Sequence, residues 1–243
     1  MSCKVALIPA RAGSERFPNK NIVDFYGHPL IAYSIKCALN GKKFQEVVVS
    51  TDSPEIANIA IHYGASVPML RPAHTATTQS PDYEWVDLAI NDWLSLDDND
   101  QITILRPTNP MRSVATIIDA LSIFDSKPDF DSLRAIREVK EHPSKMWRGL
   151  PNQQIYPLDE SVNTITGAPG HSSPFQTLEQ VWIQDASLEI AKVSSVRKYK
   201  TISGKKVIGY KLPVYEGFDI NYREDILILE SIISNNPSIL PKI

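Results

Sequence analysis

Arg11, Arg16 and Lys20 fall within ten residues of one another, around the small triplet Ala12-Gly13-Ser14. Three cations in one short loop repel each other. A bound polyphosphate removes that cost with charge-assisted hydrogen bonds. Side chains as small as these let backbone N–H groups approach an anion closely. The chemistry on offer is therefore the gripping of a phosphate chain, against the plainer reading of a solvated basic loop. Neither G-x-G-x-x-G nor G-x-x-x-x-G-K-[ST] occurs, which disfavours dinucleotide oxidoreductases and P-loop ATPases. Ser14 lacks the His or Asp neighbours of an activated nucleophile, and the five histidines show no metal-ligand spacing.

The elements that would position this loop can be read from apolar spacing. Val5 to Ile8 is a continuous apolar run, as expected of a strand buried on both faces, and the basic loop leaves its carboxyl end. Pro29 opens a helical pattern that stops at Asn40-Gly41; Val47 to Val49 reads as a second strand. Ser53-Pro54 starts a second helix, Ser66 to Leu70 is a weaker third strand, and Ser80-Pro81 repeats the cap chemistry ahead of Trp85 and Trp93. Ile102 to Leu105 is a fourth strand, and Ser113 caps the helix after it. Four βα units in succession predict a doubly wound, mostly parallel, Rossmann-like α/β sheet. In such sheets ligands bind beyond the carboxyl ends of the strands, so loops beginning at Arg11, Ser50, Arg71 and Arg106 should line one edge.

After Phe124 the pattern changes. Residues 126–182 carry many Pro, Gly, Gln and His residues, and only Leu133 to Val139 is strand-like. The expectation is a single domain over residues 1–243 with an inserted lid or dimerisation arm at 126–182. Alternation returns at Ser187 to Val193 and Val207 to Leu212, and a last helix follows Asn221, where Asn221-x-x-Glu224 has capping-box spacing.

The whole chain bounds these readings. It has 243 residues, 25 Lys+Arg against 28 Asp+Glu, and a net charge of −3, so it lacks the basic excess of a nucleic-acid binder. Two cysteines, Cys3 and Cys37, are too few for a disulfide framework. No apolar run approaches the ~20 residues of a membrane-spanning helix, and the apolar start is too brief for a signal peptide. A cytoplasmic protein without membrane or nucleic-acid partners is expected.

Several ordered motifs add to this. Pro9 to Ser14, Pro18 to Ile22, Ser50-Thr51-Asp52, Leu70 to Ala73, Leu105 to Arg112, Glu141 to Lys145 and Glu216 to Asn221 together resemble the acylneuraminate cytidylyltransferases, the CMP-sialic acid synthetases and their relatives. The resemblance implies transfer of CMP from CTP to the anomeric hydroxyl of a 2-keto sugar acid, with Mg²⁺ and a homodimer. It places Arg11 and Lys20 at the triphosphate, assisted by backbone at Ala12, Gly13 and Ser14. Asn21 and Arg71 fall near cytosine and ribose, Lys145 beside the acceptor sugar, and Asp219 at the first carboxylate of a metal-holding D-x-D.

This sequence departs from that pattern at informative positions. Glu15 stands at a usual lysine, with Arg16 beside it to supply the charge. Asn221 replaces the second aspartate, as a cap or as a weak metal ligand. Arg106 replaces a usual Gln, and Asp185 a usual Asn, so Arg106, Lys145 and Asp185 are the candidate acceptor residues. The unusual acceptor side leaves open a nucleotidyltransferase using a sugar 1-phosphate or another NTP, and Glu15 and Asn221 leave open a nucleotide-binding module of impaired activity.

Overall fold

A computed structural model describes residues 2–149 and 151–243. Among the described residues the strands are β1 (Lys4–Pro9), β2 (Asp24–Phe25), β3 (His28–Pro29), β4 (Glu46–Ser50), β5 (Gln101–Leu105), β6 (Ser132–Glu138), β7 (Trp147–Gly149), β8 (Ile155–Pro157), β9 (Trp182–Lys192) and β10 (Val207–Lys211). The helices are α1 (Ile31–Asn40), α2 (Pro54–His62), α3 (Asp82–Leu88), α4 (Val114–Asp125), α5 (Val193–Tyr199) and α6 (Glu224–Asn235). Six strands form one mostly parallel sheet in the order β10-β6-β9-β5-β1-β4. β1 runs parallel to β4 and to β5, and β9 returns antiparallel to β5 with Leu105 opposite Leu188.

The period of two sorts the apolar strand residues onto two faces. Ala6 and Ile8 of β1, with Val47 and Val49 of β4, join Ile31, Ile35, Ile56, Ile117 and Phe124 from α1, α2 and α4. Val5 and Leu7, with Val48, Ile102 and Ile104, join Trp85, Val86, Val193 and Val196 from α3 and α5. Both faces are thus covered, which is what doubly wound means physically. A third cluster, Phe17, Phe25, Leu30, Tyr33, Met111, Ile220, Leu229 and Ile233, underlies the basic loop and the start of α6.

The expected third strand at Ser66 to Leu70 shrinks to a single parallel bridge between Val48 and Ser66. Pro68 has no N–H to extend a ladder, and Met69 and Leu70 are exposed. Ser53 and Ser113 cap α2 and α4, accepting from the N–H of Ile56 (3.3 Å) and Thr116 (3.1 Å). Ser80 does not cap α3; its hydroxyl donates to the His74 carbonyl instead (2.7 Å). α3 continues as a π-helical turn, Ala89–Trp93, so Trp93 is only partly buried while Trp85 is fully so.

Two compact units divide the chain: one comprises Met1–Ala135 and Asp185–Ile243, the other Ile136–Gln184. The second unit starts at Ile136, within β6, and β6 is a strand of the six-stranded sheet. The second unit has its own frame: the β7–β8 hairpin, a hydrogen bond from Nζ of Lys145 to the His171 carbonyl (2.9 Å), and one from Nδ2 of Asn163 to the Thr177 carbonyl (2.7 Å). Among the described residues no helix is long and apolar enough to cross a membrane.

Candidate functional site

A cleft of about 530 Å³ opens at the carboxyl edge of the sheet, in the larger unit. β1 delivers Arg11, Arg16, Lys20 and Asn21 to it; Arg71 arrives from beyond β4 and Arg106 from the end of β5. The lining holds five cations, Arg11, Arg16, Lys20, Arg71 and Arg106, against three carboxylates, Glu15, Asp82 and Asp219. The excess of positive charge suits a polyanion.

The cations are held in two ways. Lys20 donates to the carbonyl of Ile220 (2.6 Å), Arg16 to Oδ1 of Asn221 (3.1 Å), and Arg11 to the carbonyl of Ala76 (3.3 Å). These partners are neutral. Burial pushes the Lys20 ammonium below the ordinary lysine range, and Asp219 opposes that shift.

On the opposite wall Arg106 is ion-paired with Asp82 and lies 3.5 Å from Glu189, which also binds Arg134 at 3.0 Å. Burial alone would lower Arg106, but Asp82 and Glu189 hold it above its ordinary value. Burial raises the carboxyl of Glu189 despite both guanidiniums. Arg71 is fixed by Ser50 through Nε to the hydroxyl (3.0 Å) and Nη2 to the carbonyl (2.9 Å), and it lies over the Trp85 ring, 4.9 Å from the centroid. Burial lowers Arg71 to about 10, countered in part by Asp52 and Asp82, so it stays cationic at neutral pH. Nε1 of Trp85 donates to Asp82 (2.9 Å), joining the stacking platform to the Arg106 pair.

The small triplet behaves differently from the expectation. The Ala12 N–H donates to Oδ1 of Asp52 (2.8 Å) and the Ser14 N–H to the Ala12 carbonyl (2.8 Å), so neither faces the cleft as a free anion donor. Ser14 lines the cleft; Ala12 and Gly13 do not. A Cβ at Gly13 would meet nothing within 4 Å, so no packing demands glycine there.

Residues 5–122 match the cytidylyltransferase family. A pseudaminic acid cytidylyltransferase of Campylobacter jejuni is 35% identical over 162 residues, 64% of this chain and 67% of its own length. The chain belongs to the cytidylyltransferase family. A CMP-N,N'-diacetyllegionaminic acid synthase of Legionella pneumophila is 44% identical over 120 residues, covering 49% of this chain and 52% of that protein. An N-acylneuraminate cytidylyltransferase of Escherichia coli is 32% identical over 64% of this chain but only 34% of its own length. The matched stretch thus spans a third to about half of these last two relatives. Among solved structures, a CMP:2-keto-3-deoxy-manno-octonic acid synthetase complexed with CTP superposes with a TM-score of 0.68, at 14% identity, over 96% of this chain and 99% of its own. At that identity the likeness is one of fold.

Of the residues that the sequence nominates, Arg11, Ser14, Arg16, Lys20, Asn21, Arg71, Arg106, Asp219 and Asn221 all line one cleft. Asp185 does not: it is buried and accepts the Ser187 N–H (3.0 Å). Lys145 belongs to the second unit, where its ammonium also reaches the Ser173 carbonyl. Asn221 is not a helix cap. α6 begins only at Glu224, and Asp225 rather than Glu224 accepts from the N–H groups of Asn221 (2.7 Å) and Tyr222 (2.8 Å).

Asp219 fits a magnesium ion, which prefers hard anionic oxygens and takes one or two carboxylates plus phosphate oxygens. Asn221 offers only a neutral amide oxygen that Arg16 also engages, a poorer ligand than an aspartate. Asp82 and Glu189 are not nominated from the sequence, and Trp85, a core residue by its spacing, also lines the cleft. The Asp82-x-x-Trp85 spacing on one helical turn was the available sign for that pair; Glu189 carries no local sign.

Proposed function

We propose that the protein transfers CMP from CTP to the anomeric hydroxyl of a 2-keto sugar acid of the nonulosonic class, releasing pyrophosphate. The observation that carries this reading is the convergence of five cations and Asp219 on one cleft at the carboxyl edge of the sheet. The names of the matched relatives, cytidylyltransferases and synthases of neuraminic, pseudaminic and legionaminic acid derivatives, support the same substrate class.

The reaction is an in-line displacement. The anomeric hydroxyl gives up its proton to solvent water as its oxygen bonds to the α-phosphorus, the bond from that phosphorus to the bridging oxygen breaks, and pyrophosphate leaves with the electron pair. Such a step asks for positioning and charge neutralisation more than for a protein nucleophile. Arg11, Arg16 and Lys20 hold the triphosphate and stabilise charge gathering on the leaving group. Asn21, whose Nδ2 is tied to the Arg11 carbonyl (3.1 Å), presents its oxygen to the base. Arg71, clamped between Ser50 and Trp85, binds at the ribose and base. Magnesium held by Asp219 would add Lewis-acid polarisation of the phosphate oxygens. Arg106, already paired with Asp82, orders the wall.

A homodimer is part of this reading. The second unit exposes Trp147, Ile155, Tyr156, Val162, Ile165 and Phe175, apolar surface that a second copy would cover. Light scattering across a dilution series tests it, and a constant monomer mass rejects it.

The activity is tested by pyrophosphate release with CTP and Mg²⁺ across a panel of 2-keto sugar acids and sugar 1-phosphates. Turnover with a nine-carbon 2-keto acid is expected. Turnover confined to a sugar 1-phosphate, or tight CTP binding without turnover on any acceptor, overturns the proposal.

A further inference from the structure

Three side chains link the basic loop to the segment that precedes α6. Nη2 of Arg16 donates to Oδ1 of Asn221 (3.1 Å), and Nδ2 of Asn221 donates to Oδ2 of Asp219 (2.7 Å). The Arg16 guanidinium also lies over the Tyr222 ring, 5.4 Å from its centroid. The backbone beneath is fixed. Asp225 accepts from the N–H groups of Asn221 and Tyr222, and the buried Ile220 donates its N–H to the Thr108 carbonyl (3.0 Å).

The chemistry of the three groups decides which way the amide points. A guanidinium only donates and an ionised carboxylate only accepts. A single residue between them must therefore accept on one side and donate on the other, which an amide does and an aspartate cannot. Aspartate at 221 would set a second carboxylate against Asp219 and would neutralise Arg16 by ion pairing.

We infer that Asn221 is a positioning residue for Arg16: a neutral bridge that aims the guanidinium into the cleft with its charge unspent, so that Arg16 rather than a second metal-holding carboxylate serves the phosphate tail. The inference rests on the reading of the cleft as a triphosphate site. It gives a role to the contact that Arg16 and Asn221 make across 205 positions of sequence. It also separates two kinds of help to the phosphates. Asp219 would serve the phosphates through the metal, whereas the Arg16–Asn221 pair acts with or without it.

The test is titration calorimetry of CTP into the full chain, in EDTA and again in saturating Mg²⁺, with thermal unfolding of each variant as the check on folding. In EDTA, Arg16→Ala and Asn221→Asp are each expected to weaken CTP by about tenfold or more, as loss of a charge-assisted contact should. In the Arg16→Ala background, Asn221→Asp should add little, because both changes remove one interaction. Asp219→Asn is expected to lose the gain in CTP affinity that Mg²⁺ confers. Wild-type affinity of Asn221→Asp in EDTA, or an equal loss with and without Arg16, overturns the role given to Asn221. Absence of CTP binding by the wild-type chain in both buffers sinks the triphosphate site itself, and this inference with it.

Discussion

The two walls of the cleft hold cations by opposite means. On the loop from Arg11 to Asn21, Arg16 and Lys20 rest on an amide and a backbone carbonyl, both neutral. On the wall made by α3 and the end of β5, Arg106 is pinned by Asp82 and by Glu189 of β9, which also holds Arg134 of β6 outside the lining. A cation resting on a neutral oxygen keeps its charge for an incoming anion. A cation already paired with a carboxylate has little net charge to offer, and its partner depends on it for solvation. The first wall is equipped to bind and the second to be rigid. Positive residues in one cleft are therefore not interchangeable, and counting them would hide the division of labour.

The comparison breaks most visibly on the rigid side. Glu189→Ala leaves Arg134 and the buried flank of Arg106 without their carboxylate, and a loss of about 3–5 kcal/mol in urea unfolding is expected. A loss below about 1 kcal/mol would show that the network is not structural. On the binding side, Lys20→Ala should weaken CTP by about 1.5–3 kcal/mol in calorimetry while the unfolding midpoint hardly moves. Unchanged affinity would remove Lys20 from the phosphate site.

A pH series sharpens the contrast. Burial lowers the Lys20 pKa in the free protein, and a bound phosphate favours the ammonium form. CTP affinity is then full below the free-state pKa and falls above it, by at most about 1.4 kcal/mol per pH unit, until the bound-state value is passed. The sign for stability is opposite: the unfolded chain holds this proton more tightly, so the Lys20 contribution improves as pH rises through its folded value. The fall in affinity should begin at lower pH than for an ordinary lysine, and Lys20→Arg should abolish it. A flat profile for the wild type would contradict the buried-lysine picture. The smallest effect is expected of Trp85→Phe, which keeps a ring beneath Arg71 but loses the N–H bond to Asp82. A change of about 1 kcal/mol in stability should result, with CTP affinity nearly constant.

Much of the fold was legible in advance because burial on both faces writes itself as unbroken apolar runs. β1, β4 and β5 each show one, and the serines at 53 and 113 announced the helices that follow. The third strand failed where Pro68 denies the ladder a donor. The Asn221-x-x-Glu224 spacing suggested a capping box because the pattern is local; the fold preferred Asp225, one residue further on, and turned the Asn221 side chain toward Arg16. The backbone donor at Ala12 looked available only because Asp52, 40 positions away, is invisible to any local reading.

What the chain alone determines is the order of its elements and the gathering of basic side chains at strand ends, since period and composition are local properties that survive without knowledge of neighbours. What only the folded molecule decides is the partner of each charge. Arg16 and Arg106 look alike in sequence, but one meets an amide and the other two carboxylates. That difference arises from contacts spanning up to 205 positions, which no local pattern encodes.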